Sequence, residues 1–309
     1  MIRVFFAANP GDWAEYEDVL PKAVAETGIE AEIVTEAEPG SVDYIVYAPS
    51  SAVQDFRPYT RLKAVLNLWA GVENVVGNQT LTVPLCRMVD PGMTEGMVEY
   101  CVGHALRHHL GMDQDILRTD AQWKPHVPPL ARSRRVTVLG LGELGREVAL
   151  ALGRMNFDVA GWSRSPKEIP GVECLSGDAG LNMALGRAEI LILLLPLTSA
   201  TRDLLNADRL ALMPEGAFII NPGRGPLIDD EALLAALDSG RIAHATLDVF
   251  RVEPLPAEHA FWAHPKVTVT PHIASDTRAE TAARVIAENI RRGEAGETFL
   301  HLVDRSAGY

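Results

Sequence analysis

The chain of 309 residues predicts an α/β fold with two domains, each built on a doubly wound parallel sheet. Two observations carry this prediction. Short apolar runs of strand length alternate with helical segments along the whole chain, and a glycine-rich turn follows one of these runs near residue 140. Hydrophobic residues make up 47% and charged residues 22%, which is typical of a globular protein with a sizeable core.

The first strand–helix alternation covers about 90 residues. Residues 2–8 and 43–49 are expected to form strands, and 63–74 a strand that runs into a turn. Residues 11–28 have helical spacing and end on Gly28, a plausible helix stop. This segment therefore predicts the first parallel sheet.

A long helical stretch, 93–123, follows and is expected to bridge domains or subunits; the loop 124–135 then breaks the pattern with three prolines. Near the end of the chain, residues 277–294 predict a last helix. We expect it to return to the first domain, which would make that domain discontinuous.

The second alternation is clearer because its apolar runs are short and rich in β-branched residues, as in a sheet covered on both faces. Between its strands, residues 229–240 predict a helix that begins at capping acids and ends at Gly240. The six expected strands are 136–140, 158–163, 190–196, 217–222, 244–250 and 267–271.

The turn after the first of these strands carries a G-x-G-x-x-G fingerprint at Gly140, Gly142 and Gly145. The motif follows an apolar strand and opens a helix, which is the context a dinucleotide site requires. Gly140 allows the tight turn, Gly142 leaves room for a pyrophosphate, and Gly145 lets the helix pack on the strand. The helix N-terminus attracts the phosphates.

The second strand ends without the acid that would bind the adenosine ribose of NAD. The sequence "GWSRS" instead offers Ser163, Arg164 and Ser165, while Asp158 lies at the wrong end of the strand and Glu168 beyond Pro166. An arginine can bind a 2′-phosphate through charge-assisted hydrogen bonds. NADP(H) is therefore the expected cofactor, with NAD(H) as the alternative.

Three ionisable residues follow consecutive strands of the second sheet, where doubly wound sheets bind ligands: Arg224 in "NPGRG", Glu253 in "DVFRVEP" and His272 in "TPHIAS". Reduction of a 2-oxo acid needs a fixed cation for the carboxylate and a proton donor for the carbonyl oxygen. Arginine and histidine supply these two functions, and a carboxylate such as Glu253 would orient the imidazole and favour its protonated form.

The order of the fingerprint, "INPGRG", "LDVFRVEPLP" and "HPKVTVTPHIAS" resembles the D-isomer-specific 2-hydroxyacid dehydrogenases, most closely their glyoxylate/hydroxypyruvate reductase A group. The likeness extends from "KAVLNLWAGVEN" to the terminal "VDRSAGY". It implies a Rossmann-type nucleotide domain, residues 99–277, inserted in a flavodoxin-like substrate domain, residues 1–98 and 278–309. It also implies a homodimer joined around residues 93–118.

The resemblance further implies the roles of individual residues. His272 would be the proton donor, Glu253 its partner, and Arg224 the residue that binds the substrate carboxylate and carbonyl, together with backbone N–H groups around Ala70, Gly71 and Val72. Trp69 departs from the family, whose members carry a small residue there. The expected cofactor-binding residues are Gly140, Gly142, Glu143, Leu144, Gly145, Ser163, Arg164, Ser165, Leu195, Pro196, Pro222 and Asp248.

The resulting hypothesis is an NADPH-dependent reductase of small 2-oxo acids, converting glyoxylate to glycolate and hydroxypyruvate to D-glycerate. An NAD-dependent dehydrogenase of another D-2-hydroxy acid, such as D-lactate or 3-phosphoglycerate, and a non-catalytic dinucleotide-sensing module remain open as alternatives.

Composition excludes several other classes of partner. The net charge of −13 argues against a nucleic-acid partner, and no apolar stretch approaches the roughly 20 residues that span a bilayer. Three scattered cysteines indicate reduced thiols in a cytoplasmic protein. His104 and His108 lie at i, i+4 on the long helix but have no third ligand nearby, so no metal is expected.

Overall fold

The computed structural model describes residues 1–308; Tyr309, the last residue of the expected segment 278–309, lies outside the described residues. The chain divides into two compact units. The first comprises residues 1–93 and the segment from Asp276 onward, and the second comprises residues 94–275. These limits differ by a few residues from those expected at each junction.

The strands and helices alternate in both units. The strands are β1 (Ile2–Ala7), β2 (Ala31–Val34), β3 (Tyr44–Tyr47), β4 (Ala64–Asn67), β5 (Leu85–Cys86), β6 (Arg135–Leu139), β7 (Asp158–Ser163), β8 (Glu173–Ser176), β9 (Ile190–Leu193), β10 (Ala217–Asn221), β11 (Ile242–Leu247) and β12 (Val267–Val269). The helices are α1 (Pro10–Tyr16), α2 (Val19–Glu26), α3 (Pro91–Leu110), α4 (Asp113–Ile116), α5 (Glu143–Arg154), α6 (Gly177–Arg187), α7 (Ala207–Leu212), α8 (Asp230–Asp238), α9 (Ala260–Ala263) and α10 (Ala279–Ala295).

Each unit contains one parallel sheet, which confirms the predicted fold class. The first sheet has the order β2-β1-β3-β4-β5, the flavodoxin-like arrangement, and the second has the order β12-β11-β10-β9-β6-β7-β8. In the second sheet the strand order reverses between β6 and β9. The carboxyl ends of the strands beside such a reversal form the crevice in which doubly wound sheets bind ligands.

The second sheet is buried on both faces, as its apolar runs predict. Successive residues of β9 point to opposite sides: Leu191 and Leu193 belong to one apolar cluster, and Ile190 and Ile192 to the other. All four side chains are fully buried. This two-sided core fixes the strands whose ends carry the candidate site.

Two helical segments differ from the sequence prediction. Residues 11–28 form α1 and α2 rather than one helix, because the ring of Pro21 would clash with the carbonyl of Glu17 in a continuous helix. The stretch 93–123 is not one helix: α3 ends at Leu110, where Gly111 adopts a left-handed φ of 64°, and only the short α4 follows. Gly28 (φ 78°) ends the α2 segment as predicted.

Three strands escaped the sequence prediction: β2, β5 and β8. β2 is only half-buried along its length, β5 has two residues, and β8 begins with the exposed Glu173, so none has an apolar run of strand length. The expected helix 229–240 is confirmed as α8, whose N-cap Asp229 accepts a hydrogen bond from the amide of Ala232. At the end of the chain, α10 packs against α2 within the first unit.

Candidate active site

The glycine fingerprint forms a tight turn between β6 and α5. Gly140 has a φ of 106°, and a Cβ there would lie 2.4 Å from the carbonyl oxygen of Leu194. A Cβ at Gly145 would lie 1.8 Å from the carbonyl oxygen of Gly140, so only glycine lets α5 pack this closely on the turn. The protein's own packing therefore requires two of the three glycines.

The remaining glycine of the fingerprint faces open space. Gly142 is the N-cap of α5 with a φ of −76°, and a Cβ there would meet nothing within 4 Å. Neither strain nor internal packing explains a glycine at this position, whereas the close approach of an outside group to the backbone does. Glu143, exposed, and Leu144, half-buried, begin the helix whose N–H groups point toward this space. The turn thus fits a dinucleotide pyrophosphate.

At the end of β7, the three residues of the expected 2′-phosphate site form an exposed corner. Arg164 and Ser165 are exposed, while Ser163 is buried and its hydroxyl donates to the carbonyl of Ser165 at 2.8 Å. The carboxylate of Asp158 pairs with Arg187 at 2.7 Å, at the opposite end of the strand. The corner therefore presents a guanidinium and a hydroxyl where an NAD site would present an acid.

The other expected cofactor residues also follow strand ends. Leu195 comes after β9 and is buried in the core, and the carbonyl of Pro196 accepts a hydrogen bond from the Thr201 hydroxyl at 2.7 Å. Pro222 follows β10 and is buried. These residues line the same carboxyl edge of the second sheet as the glycine turn.

His272 and Glu253 form a hydrogen-bonded pair beyond β12 and β11. The imidazole Nδ1 lies 2.7 Å from Glu253 Oε2, and the other carboxylate oxygen accepts from the Phe250 amide at 2.8 Å. Both oxygens of Glu253 are therefore held, which fixes the ring plane of His272. The Nε2 edge of His272 remains available, since 53% of its side chain is exposed.

The pair shifts the ionisation of both partners. The hydrogen bond to Glu253 raises the pKa of His272 above its ordinary value, against the opposing effects of burial and of the Arg224 charge. Burial alone would raise the pKa of Glu253, but the hydrogen bonds from His272 and from the Phe250 amide outweigh it and lower that pKa. The arrangement favours an imidazolium beside a carboxylate, which is a proton donor poised near neutral pH.

Arg224 lies in the turn after β10, beside this pair. A Cβ at Gly225 would lie 2.0 Å from the carbonyl carbon of Phe250, so glycine is needed for the turn to touch the backbone that leads to Glu253. Arg224 is half-buried, its Nη1 donates to the Gly223 carbonyl at 2.7 Å, and its charge acts on both His272 and Glu253. The structure thus brings together the three residues singled out as catalytic candidates.

Asp248, expected beside the nicotinamide, is fully buried at the end of β11. Its carboxylate accepts from the hydroxyl of Thr270 and from the amides of Ile273 and Ala274. It therefore anchors the segment on either side of His272. Sequence reasoning did not single out Thr270, although the residue stands two positions before His272 in "TPHIAS".

The first unit contains the loop expected to bind the substrate carboxylate, Ala70–Val72, directly after β4. Asn67, which is buried, fixes the loop because its Nδ2 donates to the carbonyls of Trp69 at 2.7 Å and Gly71 at 3.0 Å. Val72 is buried, and Trp69 has 43% of its surface exposed. Asn67 is a second residue that the sequence analysis missed, since a buried asparagine at a strand end resembles an ordinary turn residue.

Over residues 1–308, no cluster of three or more His, Cys, Asp and Glu side chains is placed to hold a metal ion. Nor does any helix in this range have the length and apolarity needed to cross a membrane.

A glycine turn at the reversal point of a parallel sheet, with a His–Glu pair and an arginine at the same edge, defines a dehydrogenase of the dinucleotide-binding class. The sequence profile described as "D-isomer specific 2-hydroxyacid dehydrogenase, NAD binding domain" matches residues 101–274. The chain belongs to the D-isomer-specific 2-hydroxyacid dehydrogenase family.

Several relatives resemble the chain over most of its length. Glyoxylate/hydroxypyruvate reductase A of Serratia proteamaculans (strain 568) is 41% identical over 257 residues, covering 81% of this chain and 82% of that protein. The D-isomer specific 2-hydroxyacid dehydrogenase of Xanthobacter autotrophicus Py2, solved with NADPH and MES, is 41% identical with a TM-score of 0.92, covering 99% of both chains. The NADPH-dependent glyoxylate/hydroxypyruvate reductase of Sinorhizobium meliloti, solved with NADP and sulfate, is 33% identical with a TM-score of 0.88, covering 100% of both chains.

Proposed function

We propose that this enzyme uses NADPH to reduce small 2-oxo acids, with glyoxylate and hydroxypyruvate as its first substrates and glycolate and D-glycerate as products. The observation that carries the proposal is the His272–Glu253 pair beside Arg224, at the same sheet edge as the dinucleotide turn. The similarity to reductases of this activity and to NADPH-bound members of the family supports it.

In this proposal the bound nicotinamide supplies the hydride, and the chain supplies the proton and the charges. His272 donates its Nε2 proton to the substrate carbonyl oxygen, because Nδ1 is already engaged by Glu253. Glu253 keeps the imidazole protonated and fixes its plane. Arg224 offers a guanidinium for the carboxylate and carbonyl of the substrate; the family resemblance also assigns carboxylate binding to the backbone N–H groups of Ala70, Gly71 and Val72.

The cofactor roles follow the sheet edge. The N-terminus of α5, with Gly142, Glu143 and Leu144, holds the pyrophosphate, and Arg164 with Ser165 holds the 2′-phosphate. The hydroxyl proton of Ser163 is already used by the Ser165 carbonyl, so Ser163 shapes the corner. Residues 99–277 then form the nucleotide domain and the remainder the substrate domain. The other proposed cofactor contacts are Gly140, Gly145, Leu195, Pro196, Pro222 and Asp248.

The proposal is tested by steady-state reduction of glyoxylate and hydroxypyruvate with NADPH and NADH in parallel. We expect at least about a tenfold preference for NADPH, since one charge-assisted hydrogen bond contributes about 1.5–3 kcal/mol. Arg164→Ala should remove that preference, and His272→Ala should lower kcat by about 10²–10⁴-fold while NADPH binding, measured by fluorescence, is retained.

Each variant of this assay has an outcome that would contradict its part of the proposal. Equal use of both cofactors by the unaltered enzyme would remove the 2′-phosphate role of Arg164. Loss of NADPH binding in His272→Ala would show that His272 acts on the cofactor site rather than as proton donor. No turnover of either acid with either cofactor would reject the substrate assignment.

We also propose a homodimer and a cytoplasmic location. The segment 111–130, which we call the arm, carries large apolar side chains that are exposed, among them Leu117 (71%) and Trp123 (96%). An apolar surface of this kind is typical of an interface, and the family resemblance assigns it to a second copy of the chain. All three cysteines, Cys86, Cys101 and Cys174, are free thiols, as expected in a reducing compartment.

A further inference from the structure

The loop that carries His272 is held in an uncommon conformation. His272 has a φ of 55°, in the left-handed region that non-glycine residues rarely adopt, at a cost of about 1–2 kcal/mol. Its own amide donates to the carbonyl of Asp248 at 2.9 Å. Such a conformation persists only where the surrounding structure enforces it, so the contacts on this loop determine where the imidazole points.

The buried carboxylate of Asp248 supplies the main side-chain contacts. Oδ1 accepts from the amide of Ile273 and Oδ2 from the amide of Ala274, each at 2.9 Å. These are the two residues directly after His272. Because Asp248 is fully buried, its oxygens need these donors as hydrogen-bond partners, and the loop in turn depends on the position of the carboxylate.

A third donor ties Asp248 to α3. The Thr270 hydroxyl donates to Asp248 Oδ1 at 2.5 Å, and the phenol oxygen of Tyr100 lies 2.8 Å from the same threonine oxygen. A threonine hydroxyl has one proton to donate, and here it is donated in the hydrogen bond to the carboxylate. Tyr100 must therefore be the donor in the hydrogen bond between the two hydroxyls. The three side chains form a series of hydrogen bonds in which Tyr100 donates to Thr270 and Thr270 donates to Asp248.

We propose that Tyr100 and Thr270 are positioning residues of this enzyme, which set the orientation of His272 toward Glu253 by fixing the carboxylate of Asp248. Neither residue touches the reacting atoms. Removing the Thr270 hydroxyl leaves the buried carboxylate one donor short, so it shifts and its hold on the amides of Ile273 and Ala274 changes. Removing only the Tyr100 hydroxyl leaves the donor to Asp248 in place, so its effect is smaller and in the same direction.

The strand directly before Thr270, β12, also offers a matched control. Thr268 is likewise half-buried, and its hydroxyl also makes a hydrogen bond, at 2.8 Å to Nε2 of His244. Thr268→Val and Thr270→Val each replace one hydroxyl by a methyl group in the same part of the fold. Only the second substitution removes a contact to Asp248.

The test compares Thr270→Val, Tyr100→Phe, Thr270→Ser and Thr268→Val in the full chain. We expect Thr270→Val to lower kcat by about tenfold to a hundredfold with little change in KM for NADPH, because misplacement of a catalytic group affects the chemical step. Tyr100→Phe should lower kcat less. Thr270→Ser, which keeps the hydroxyl, and Thr268→Val should both retain the unaltered kcat.

The second readout is the pKa of His272, measured by NMR on the protein without cofactor. The charged groups that face His272 are Glu253, Arg224 and Asp248, and they are identical in all four variants. A loosened bond to Glu253 should lower the pKa of His272 most in Thr270→Val and less in Tyr100→Phe, and it should leave that pKa unchanged in Thr270→Ser and Thr268→Val. Equal kcat and equal His272 pKa in Thr270→Val and Thr268→Val would overturn the proposal.

The inference rests on the proposed role of His272, but the two can fail separately. If His272→Ala keeps full activity, the proton-donor assignment fails whatever the threonine variants do. If His272→Ala is inactive and Thr270→Val behaves as Thr268→Val, only the positioning role fails. Thermal unfolding of each variant identifies any loss of kcat that comes from unfolding, and a shifted His272 pKa in a folded Thr270→Val protein supports positioning.

Discussion

Two side chains of this site, His272 and Glu253, change each other's pKa. Glu253 holds the proton on His272 through a 2.7 Å hydrogen bond, and His272 helps to keep Glu253 ionised although its carboxylate is partly desolvated. A 2-oxo acid reductase needs the imidazolium before the proton is transferred, and the neutral ring afterwards. With His272 as the proton donor that we propose, the pair sets the pH range in which each direction of the reaction proceeds.

Glu253→Gln should move this range to lower pH. Without the carboxylate the pKa of His272 falls, so the protonated form needed for reduction is lost at lower pH, and the alkaline decline of kcat/KM shifts toward acid. Oxidation of the hydroxy acid needs the neutral imidazole, so its rise with pH should shift toward acid as well. Both profiles are measured from pH 5 to 10, and unchanged profiles in the variant would contradict the role of Glu253.

Among the secondary elements, α3 contributes a histidine-bearing face to the core of the second unit. His108 is almost fully buried, stacks on Phe218 with ring centroids 4.8 Å apart, and its Nε2 lies 3.0 Å from the Thr246 hydroxyl on β11. Burial and the neighbouring charge of His244 lower the pKa of His108 from 6.5 to about 3. The folded protein therefore keeps His108 neutral where the unfolded chain would be protonated.

The buried His108 on α3 should make the folded protein less stable in mild acid. As pH falls below about 6.5 the unfolded chain takes up a proton that folded His108 does not, so the free energy of unfolding decreases until pH approaches the folded pKa of about 3. At about 1.4 kcal/mol per pKa unit, the loss reaches several kcal/mol. His108→Gln should weaken this dependence in urea unfolding between pH 5 and 8.

The control for this experiment is Thr246→Val, which removes the hydrogen-bond partner and keeps the imidazole. It should lower stability by a similar amount at every pH and leave the slope against pH unchanged. A slope in His108→Gln equal to that of the unaltered protein would assign the acid sensitivity to other groups.

Elements also differ in how far the sequence reveals them. β9 is predicted because both of its faces are buried, which leaves an uninterrupted apolar run, whereas β2 is half-buried along its length and has no such run. Arg224, Glu253 and His272 are predicted because parallel strands place their carboxyl ends at one edge.

Other parts of the site depend on contacts that no local pattern encodes. Tyr100 and Thr270 are 170 positions apart in the chain, and each looks like an ordinary core or strand residue by itself. Asn67 was missed for a different reason: its amide contacts the nearby carbonyls of Trp69 and Gly71, but a buried asparagine at a strand end resembles an ordinary turn residue. Sequence reasoning singled out the groups that we propose for the chemistry, and tertiary structure was needed to find those that we propose as positioning residues.

At the scale of the whole molecule, the arm stands out because its large apolar side chains are not covered by the rest of the chain. α3 ends at Leu110, and beyond the short α4 the chain continues without regular structure to Leu130. Ile116, Leu117 and Trp123 expose 71%, 71% and 96% of their surfaces. Burying each of these side chains would contribute about 1.5–3 kcal/mol, and this gain would favour association with a second copy that covers them.

Leu117→Asp should therefore convert the proposed dimer to a monomer. A two-fold interface contains each position twice, so losing about 1.5–3 kcal/mol per copy weakens association by about 10²–10⁴-fold, before the cost of burying two carboxylates. Sedimentation should give the mass of two 33.6 kDa chains for the unaltered protein and of one for the variant. Met183→Asp, at another exposed apolar residue (60%) on α6, should remain dimeric. A monomeric unaltered protein would reject the dimer, and a dimeric Leu117→Asp would place its interface outside the arm.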